Sequence, residues 1–246
     1  MNFPRFFHKK KDTSHIGIIL DLGSQYIKST LIEKKADQIC MLGQGKIMHQ
    51  IGDMEKGGIV HLDHVYKNCI LAIEEAKKHS KNNPSQLILA VDGISIHSIN
   101  TQTEYNRSDS YSQISESEIK NLIHKSQWKA FEQAKKYIKE ESNNNEVNIK
   151  LLSSSMGDVS IDGFRIQDPV GFTGKNIKIS FLNSFCPETF LTGYKQLAKK
   201  LELDLLSIVP SFQGVAQGLI EDQGNSSSGI LIDIGSHHTQ ITLIQK

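Results

Sequence analysis

Polar and apolar residues alternate near the start of the chain in a pattern that predicts β-strands joined by a turn. The segments IGIILDLG, residues 16–23, and YIKSTLIE, residues 26–33, are rich in β-branched residues, and polar and apolar side chains alternate in the second. A third strand is predicted over DQICMLGQGKI, residues 37–47. The glycine pair in MEKGGIV then marks a turn.

A helix and a buried strand are predicted next. In VYKNCILAIEEAKKH, residues 65–79, apolar residues recur at helical spacing, and lysines stand near the end, where the helix dipole favours positive charge. The apolar positions of this helix are Val65, Cys69, Leu71, Ala72 and Ala76. The short apolar run QLILAVDG, residues 86–93, is bounded by turn residues, as in a central strand covered on both faces. Residues 16–93 therefore predict an α/β layer arrangement.

The pattern changes after Gly93, and the following stretch predicts a small α+β module. ISIHSINTQTEYN alternates like a half-exposed strand, and the polar residues 101–113 indicate a loop or hairpin. Ser115 and Glu118 form the S-x-x-E pattern of a capping box ahead of a helix that extends to about residue 140. VNIKLLSS and NIKISFLNSF predict two more strands around a turn-rich segment, and PETFLTGYKQLAKKL predicts a second helix.

The opening motif returns at the end of the sequence. LDLLSIVPSFQGVAQGLIED predicts a strand that leads through Pro210 into a helix, and GILIDIGSHHTQITLIQK, residues 229–246, then repeats GIILDLGSQYIKSTLIEK, residues 17–34. The two stretches align without a gap and are identical at nine of eighteen positions: Gly17/Gly229, Ile18/Ile230, Asp21/Asp233, Gly23/Gly235, Ser24/Ser236, Thr30/Thr242, Leu31/Leu243, Ile32/Ile244 and Lys34/Lys246. A duplicated structural element explains both copies.

Each copy carries an Asp-x-Gly-Ser turn between two strands, a pattern suited to binding phosphate. Glycine allows positive φ and a close approach of phosphate to the backbone, turn amides and a serine hydroxyl donate to phosphate oxygens, and an aspartate can hold Mg²⁺ through water. One such turn is weak evidence, but two in matching strand contexts could grip the phosphates of one nucleotide from both sides. The candidate nucleotide-binding residues are Asp21, Gly23, Ser24, Gln25, Asp233, Gly235, Ser236 and Thr239, and the candidates for Mg²⁺ are Asp21 and Asp233.

Composition limits the classes of function. The 246-residue chain has a net charge of +1 and only three arginines, Arg5, Arg107 and Arg165, so nothing in it indicates binding to nucleic acid. The three cysteines are far apart and form no C-x-x-C pair, which argues against a disulfide scaffold or a zinc site and favours a reducing compartment. No apolar run is long enough to span a membrane, and the start lacks the apolar region of a signal peptide.

The first residues combine aromatic and basic side chains. MNFPRFFHKKKD has three phenylalanines beside one arginine and three lysines. Such a segment can lie at an anionic membrane surface, where it would make a weak peripheral contact. The alternative interpretation is a disordered leader, residues 1–15, ahead of the first strand.

These segments together resemble the bacterial cell-division protein FtsA, which belongs to the superfamily of actin, sugar kinases and heat-shock chaperones. The resemblance is carried by the Asp-x-Gly-Ser pair, by KGGIVHLDHVYKNCILAIEEA, by VSIDGFRIQDPVGFTGKNIKISF and by LDLLSIVPSFQGVAQGL, and it covers residues 16–246. It implies an actin-like (ribonuclease-H-like) α/β fold with an inserted α+β module of the SHS2 type. It further implies ATP and Mg²⁺ as ligands and, at most, a slow ATPase activity.

The resemblance also implies a cellular role and a domain layout. FtsA-like proteins are cytoplasmic scaffolds at the inner face of the membrane that bind FtsZ and other division proteins and self-associate partly through the module. The expected layout is a first actin-like subdomain at 16–93 and 207–228, the module at 94–206, and the start of a second subdomain at 229–246. The remainder of an FtsA would lie beyond Lys246, so the expectation is a truncated or split gene, with a complete minimal protein as the alternative.

The second turn departs from the FtsA pattern and keeps other interpretations open. His237 and His238 stand where FtsA usually has glycine and threonine, and a histidine there would either crowd a γ-phosphate or contact it as a cation. The pilus-assembly protein PilM, a relative with the same module and a less glycine-rich second turn, is the alternative; a sugar kinase is disfavoured by the module. Adjacent histidines on a strand point to opposite faces, which argues against a shared metal ion. GFTGKN lacks the spacing of a P-loop.

Overall fold

The computed structural model describes residues 15–36, 38–142, 147–222 and 228–244. The expected leader therefore lies outside the described residues except for His15, with which the first strand begins. The strands and helices, in chain order, are β1 (His15–Leu22), β2 (Tyr26–Lys35), β3 (Gln38–Met48), β4 (Met54–Glu55), β5 (Gly58–Ile59), α1 (Leu62–Ala76), β6 (Gln86–Val91), β7 (His97–Asn106), α2 (Glu116–Ser142), β8 (Ile149–Ile161), β9 (Phe164–Arg165), β10 (Asn176–Pro187), α3 (Glu188–Lys200), β11 (Asp204–Pro210), α4 (Ser211–Asp222), β12 (Gly229–Ile234) and β13 (Thr239–Ile244).

The chain divides into two compact units. The first unit holds the residues up to Asp92 and those from Gly193 onward, and the second unit spans Gly93–Thr192. The expected module ended at residue 206, whereas the observed division falls inside α3.

The later part of α3 belongs with the first unit because its side chains are bonded there. The Tyr194 hydroxyl donates to the Gly57 carbonyl, and the Lys200 ammonium forms an ion pair with Asp63. Tyr194 is fully buried, so its aromatic ring is part of the core of that unit.

The first unit is built on a five-stranded sheet in the order β11–β6–β1–β2–β3. β1, β6 and β11 run parallel to one another, while β2 and β3 are antiparallel to their neighbours. The three strands predicted at the start of the chain and the buried strand over residues 86–91 are all in this sheet. Leu87, Leu89 and Val91 alternate with less buried residues on β6 and are fully buried, so this short apolar run provides one layer of the core.

α1 packs against β2 and β3 at unusually short range. A Cβ atom added to Gly43 would lie 2.1 Å from the Ala76 carbonyl oxygen, and one added to Gly45 would lie 2.2 Å from the Ala72 carbonyl oxygen. The Ser29 hydroxyl uses this closeness to donate to the Ala72 carbonyl at 2.6 Å. The helix was predicted correctly, but Leu71 is exposed, because the helix turns Ile73 inward instead.

The second unit packs α2 against the four-stranded sheet β7–β10–β8–β9. Its buried residues form two clusters along α2: Ile114, Ile119, Leu122, Val159, Ile161, Ile177, Ile179 and Phe181 in one, and Ala130, Ala134, Ile138, Ile149 and Phe185 in the other. The predicted capping box is formed, since the Ser115 N–H donates to the Glu118 carboxylate at 2.8 Å and the Glu118 N–H donates to the Ser115 hydroxyl at 3.3 Å.

Residues 101–106 were covered by two sequence interpretations, the strand ISIHSINTQTEYN and the loop or hairpin at 101–113. They complete β7 because they pair with β10 through a continuous antiparallel register, so the strand interpretation is confirmed for them. The expectation for β8 was wrong: it was to end near residue 154, but it continues to Ile161 across two irregularities in its pairing with β10. Cross-strand hydrogen bonds, which a single segment cannot reveal, outweigh the polar local sequence there.

A buried arginine holds together the loops at one end of the second unit. Arg107, which is 4% exposed, donates to the Glu118 carboxylate at 2.9 Å and to the Ser112 and Gly174 carbonyls at 2.9 and 3.1 Å. The Gly174 N–H in turn donates to the Ser110 carbonyl at 3.1 Å. The Arg107 guanidinium therefore donates hydrogen bonds to several backbone carbonyls that would otherwise lack a partner.

The three cysteines are free thiols. Cys69 and Cys186 are buried, and burial raises the pKa of the Cys69 thiol to about 12, so this side chain behaves as a small apolar residue of the core. Among the helices that the structure describes, none has the length and apolarity needed to cross a bilayer.

Candidate functional site

The two Asp-x-Gly-Ser turns have the same backbone geometry. In the first hairpin Asp21 pairs with Lys28, and in the second Asp233 pairs with Gln240 at the corresponding position of the repeat. Each turn is closed by the same bond: Gly23 N–H donates to the Tyr26 carbonyl at 3.1 Å, as Gly235 N–H does to the His238 carbonyl at 3.0 Å. The two copies of the motif therefore share a backbone structure as well as a sequence pattern.

The glycines serve these turns for a different reason from the one expected. Neither Gly23 nor Gly235 is among the described glycines with positive φ, so the expectation of a left-handed turn residue was wrong. A Cβ atom at either position would lie 3.0 Å from the carbonyl oxygen that closes the turn. Glycine is favoured here because a side chain would crowd that closing bond.

The first turn lies at the carboxyl edge of the parallel strands. Leu22 of β1 is level with Val91 of β6, which is level with Pro210 of β11. The next residue on each strand, namely Gly23, Asp92 and Ser211, is therefore at the same edge of the sheet. Ligands of open α/β sheets bind at this edge, where loops diverge from the strand ends.

Asp21 holds two polar groups at this edge. Its carboxylate oxygens accept from the Lys28 ammonium at 3.0 Å and from the Ser211 hydroxyl at 3.3 Å. Ser211 is the first residue of α4, so the positive end of that helix dipole lies beside the carboxylate. The site thus combines one carboxylate with one ammonium and a helix N-terminus.

The second turn reaches the same edge through a side-chain contact. His238 Nε2 lies 3.0 Å from Asp92 Oδ2, and both side chains are less than a quarter exposed. His237 instead bonds to its neighbour, with Nδ1 3.1 Å from the Ser236 hydroxyl. The two histidines thus have different partners, and both lie in the turn between β12 and β13 and not on a strand as expected.

The residues named for Mg²⁺ fit an ion held through water rather than directly. Within the described residues, no three histidine, cysteine, aspartate or glutamate side chains are grouped closely enough to bind a metal ion. Asp21 is a single carboxylate at the strand end, which suits an ion that keeps most of its waters. Asp233 is exposed on β12, on the opposite sheet face from Ile230, Ile232 and Ile234.

The other predicted residues lie in the two turns or next to them. Ser24 is half-buried, and the backbone carbonyl of Gln25 accepts from the His49 N–H at 2.9 Å. Gly235 and Ser236 form the second turn, and Thr239 is the exposed first residue of β13. The structure thus brings the two groups of predicted residues to the same unit by way of Asp92 and His238.

The two hairpins differ in what covers them. Leu20 and Leu31 are completely buried in the first, whereas the corresponding Ile232 and Leu243 of the second are 56% and 61% exposed. We call the exposed side of the second hairpin its apolar face; it consists of Ile230, Ile232, Ile234, Ile241 and Leu243. In the first hairpin, α1 packs on β2, where Ser29 donates to Ala72. No described element takes that position on the second hairpin.

A buried polar cluster in the first unit was missed at the sequence level. Asp53 is 1% exposed and accepts from His64 Nδ1 at 2.9 Å, the Gln50 N–H at 2.9 Å and the Asn68 amide at 3.3 Å. Burial acts to raise the pKa of Asp53, but the hydrogen bonds, that from His64 foremost, outweigh it and hold the pKa below its usual value. The cluster fixes the loop between β3 and α1, because Asp53 of that loop bonds to His64 and Asn68 of the helix.

The sequence analysis also did not predict the polar contacts at the sheet edge. These contacts are made by Lys28, Asp92, Ser211 and His238. Asp92 and Ser211 follow the last residues of two predicted strands, and that position is the signal by which they could have been found. The contact between His238 and Asp92 had no such signal, because it depends on where the second hairpin packs.

Comparison with solved structures identifies the fold of this chain. No protein-family model matches the sequence, and no curated protein matches it either. The chain is similar in structure to one described as "PilM-PilN type IV pilus biogenesis complex", with a TM-score of 0.61 and 10% identity over 92% of this chain and 57% of that one. This likeness shows an actin-like fold.

A second structure is more distant. It is described as "Structure of diol dehydratase-reactivating factor in nucleotide free form", and it aligns with a TM-score of 0.43 and 7% identity over 93% of this chain and 70% of that one. The likeness to the pilus protein establishes the mixed α/β actin-like fold over most of the chain. The chain spans 57% of the length of that protein.

Proposed function

We propose that this protein is an actin-like scaffold that binds a nucleotide through its two Asp-x-Gly-Ser turns and takes part in assembling a pilus or secretion machine. The observation that carries the nucleotide part is the pair of identical turn closures, Gly23 to Tyr26 and Gly235 to His238, in one unit. The contact of His238 with Asp92 connects the second turn to the edge where the first one lies. Phosphates of a nucleotide suit such an edge.

The chain offers three kinds of group for a phosphate and its cation. Lys28 supplies an exposed ammonium next to the first turn, and the amino end of α4 adds a positive dipole beside it. Asp21 could hold Mg²⁺ through water once Lys28 turns towards phosphate. No described residue is assigned as a catalytic base, so we propose nucleotide binding with slow hydrolysis at most.

The pilus role is proposed ahead of the cell-division role. The likeness to PilM extends over 92% of the chain, and that protein is described in a complex with PilN. By analogy, we propose that this chain binds protein partners of an assembly machine. Division through FtsZ, self-association through the module and a position at the inner face of the membrane are supported only by the resemblance to FtsA, most clearly in DPVGFTG of the second unit.

We also propose that the second hairpin is the beginning of a second actin-like half. The apolar face has the register of the first hairpin, where the equivalent residues are buried beneath further structure. A two-stranded hairpin by itself is marginally stable, so an α/β layer over this face would stabilise it. The nucleotide-binding activity of the whole protein would then depend on both halves.

Titration with a fluorescent ATP analogue in the presence of Mg²⁺ tests the nucleotide proposal. We expect Lys28→Gln to weaken binding about tenfold, because a charge-assisted hydrogen bond to phosphate is lost. Lys34→Gln, at an exposed lysine of the same strand, is the matched control. Absence of binding by the unmodified protein at millimolar analogue, or equal affinity of both variants, would overturn the proposal.

A separate experiment distinguishes the two cellular roles. Purified PilN and purified FtsZ from the same organism are each tested for co-elution with this protein on a size-exclusion column. Co-elution with PilN alone supports the pilus role, and co-elution with FtsZ alone would replace it by the division role. Because this readout needs no nucleotide, it is independent of the first experiment.

A further inference from the structure

The outer side of α2 in the second unit concentrates positive charge. Residues 120–137 contain five lysines and only one acidic residue, Glu132, although the whole chain has a net charge of only +1. Lys125, Lys129 and Lys136 are exposed. We call this surface, from Lys120 to Tyr137, the basic ridge.

An aromatic side chain projects from the middle of the basic ridge. Trp128 is 68% exposed, although most other side chains of this helix that are as large and apolar are buried or half-buried. Its ring stacks on Phe131 at 6.1 Å between centroids, and Phe131 in turn meets the buried Phe185 edge-on at 6.1 Å. The indole therefore rests on Phe131, which contacts the core, and its other side is exposed to solvent. Tyr137 is a second exposed ring, 54% exposed, near the end of the ridge.

The ridge is long and has no arginine. From Lys120 to Lys136 it extends about 24 Å at the helical rise of 1.5 Å per residue. Protein sites that recognise individual carboxylates or phosphates usually rely on the arginine fork, whereas lysines act as point charges suited to a diffuse anionic surface. Tryptophan and tyrosine are the side chains enriched at the boundary between water and lipid.

We propose that the basic ridge of α2 is a peripheral docking surface for an anionic lipid bilayer. Trp128 enters the headgroup region, and the exposed lysines on either side of it are attracted to acidic headgroups. The helix itself stays folded on its sheet, since its apolar residues are already buried there. This site is distinct from the contact considered for the basic leader and from the nucleotide-binding edge.

Trp128 provides the measurement, because it is the only tryptophan of the chain. The full chain is mixed with vesicles of phosphatidylglycerol and phosphatidylcholine, and separately with vesicles of phosphatidylcholine alone. We expect the tryptophan emission to shift to shorter wavelength only with the acidic vesicles, and the shift to disappear at high salt. Brominated acyl chains in the acidic vesicles should quench the emission, because the ring is close to them.

A double substitution tests the lysines with a matched control. Lys125→Gln with Lys129→Gln should weaken vesicle affinity roughly 25-fold, since each basic residue near an anionic surface contributes about a fivefold factor. Lys78→Gln with Lys81→Gln removes the same charge from exposed positions of the first unit and should leave the affinity nearly unchanged. Circular dichroism confirms that both double variants are folded.

Two outcomes would overturn the proposal. One is that the protein sediments with acidic vesicles while the Trp128 emission does not change, which would place the contact elsewhere, for instance on the leader. The other is equal affinity of the two double variants, which would mean that total charge and not the ridge determines binding.

Discussion

His238 Nε2 lies 3.0 Å from Asp92 Oδ2, and this contact joins the second copy of the repeated motif to the sheet that contains the first. Asp92 follows β6, and His238 closes the second turn with its carbonyl while bonding to Asp92 with its ring. Both side chains are mostly buried, so solvent screens the contact only weakly. The contact links the second turn to the edge of the sheet through two side chains.

Asp92→Asn should loosen the second turn. The substitution replaces a bond to a carboxylate by a weaker neutral one, at a cost of about 1 to 2 kcal/mol, and amide exchange in residues 234–240 should accelerate roughly tenfold. Hydrogen-exchange mass spectrometry measures this. Ser236→Ala removes an exposed bond to His237 in the same turn and serves as the control, with little change expected. Unaltered exchange in Asp92→Asn would show that packing alone holds the turn.

The two hairpins should respond differently to the same truncation. Leu20→Ala should lower the free energy of unfolding by about 2 to 5 kcal/mol, because it leaves a cavity in a fully buried site. Ile232→Ala, the equivalent change in the second hairpin, should cost about 0.5 kcal/mol, because that side chain is mostly exposed. Urea denaturation followed by circular dichroism compares them. Similar costs would mean that the apolar face is covered in solution, and sedimentation velocity would then show whether copies associate.

A methyl group at Gly45 should destabilise the first unit. The added carbon would meet the Ala72 carbonyl oxygen at 2.2 Å. Because that oxygen belongs to the backbone of α1, the helix must move away from β3. We expect Gly45→Ala to cost about 3 kcal/mol in thermal or chemical unfolding. Gly218→Ala in α4 has open space around it and should instead raise stability by up to about 1 kcal/mol, through helix propensity. A neutral Gly45→Ala would contradict the close packing of α1.

Acid should weaken the loop end of the second unit. Hydrogen bonds, from the Arg107 side chain for Glu118 and from the Asn176 and Lys175 backbone for Asp162, hold the pKa of each carboxyl below its unfolded value. A depressed folded pKa adds stability above the unfolded value and loses it as pH falls through the folded one. The loss should therefore begin below about pH 4.5, the ordinary value for glutamate, and continue below 3.8, that for aspartate.

Hydrogen exchange of residues 107–114 and 171–176 measured from neutral pH downward detects this loss, after correction for the intrinsic pH dependence of exchange. Glu118→Gln should flatten the dependence, because the glutamine does not titrate. Glu132→Gln, at an exposed position of α2, is the control and should behave like the unmodified protein. An identical acid response in all three proteins would show that protonation of Glu118 does not cause the loss of stability.

Much of the fold could be predicted from local pattern. Alternation in residues 26–33 predicted β2, helical spacing predicted α1, and the capping box at Ser115 and Glu118 predicted the start of α2. These features depend on residues a few positions apart, so their physical causes are contained in the segment itself. The repeat of residues 17–34 at 229–246 likewise predicted two hairpins, and their identical register confirms that they share one geometry.

Other features were decided only by tertiary structure. The sequence allowed both a strand and a loop for residues 101–106, and they are strand because β10 lies beside them. The ring of His238 meets Asp92, a residue far away in sequence, and Asp53 gathers His64 and Asn68 from a helix that follows it. Corresponding positions of the two similar hairpins also lie in opposite environments, buried in one and exposed in the other. Local sequence sets which backbone form a segment prefers, but burial and polar partners depend on which other segments pack against it.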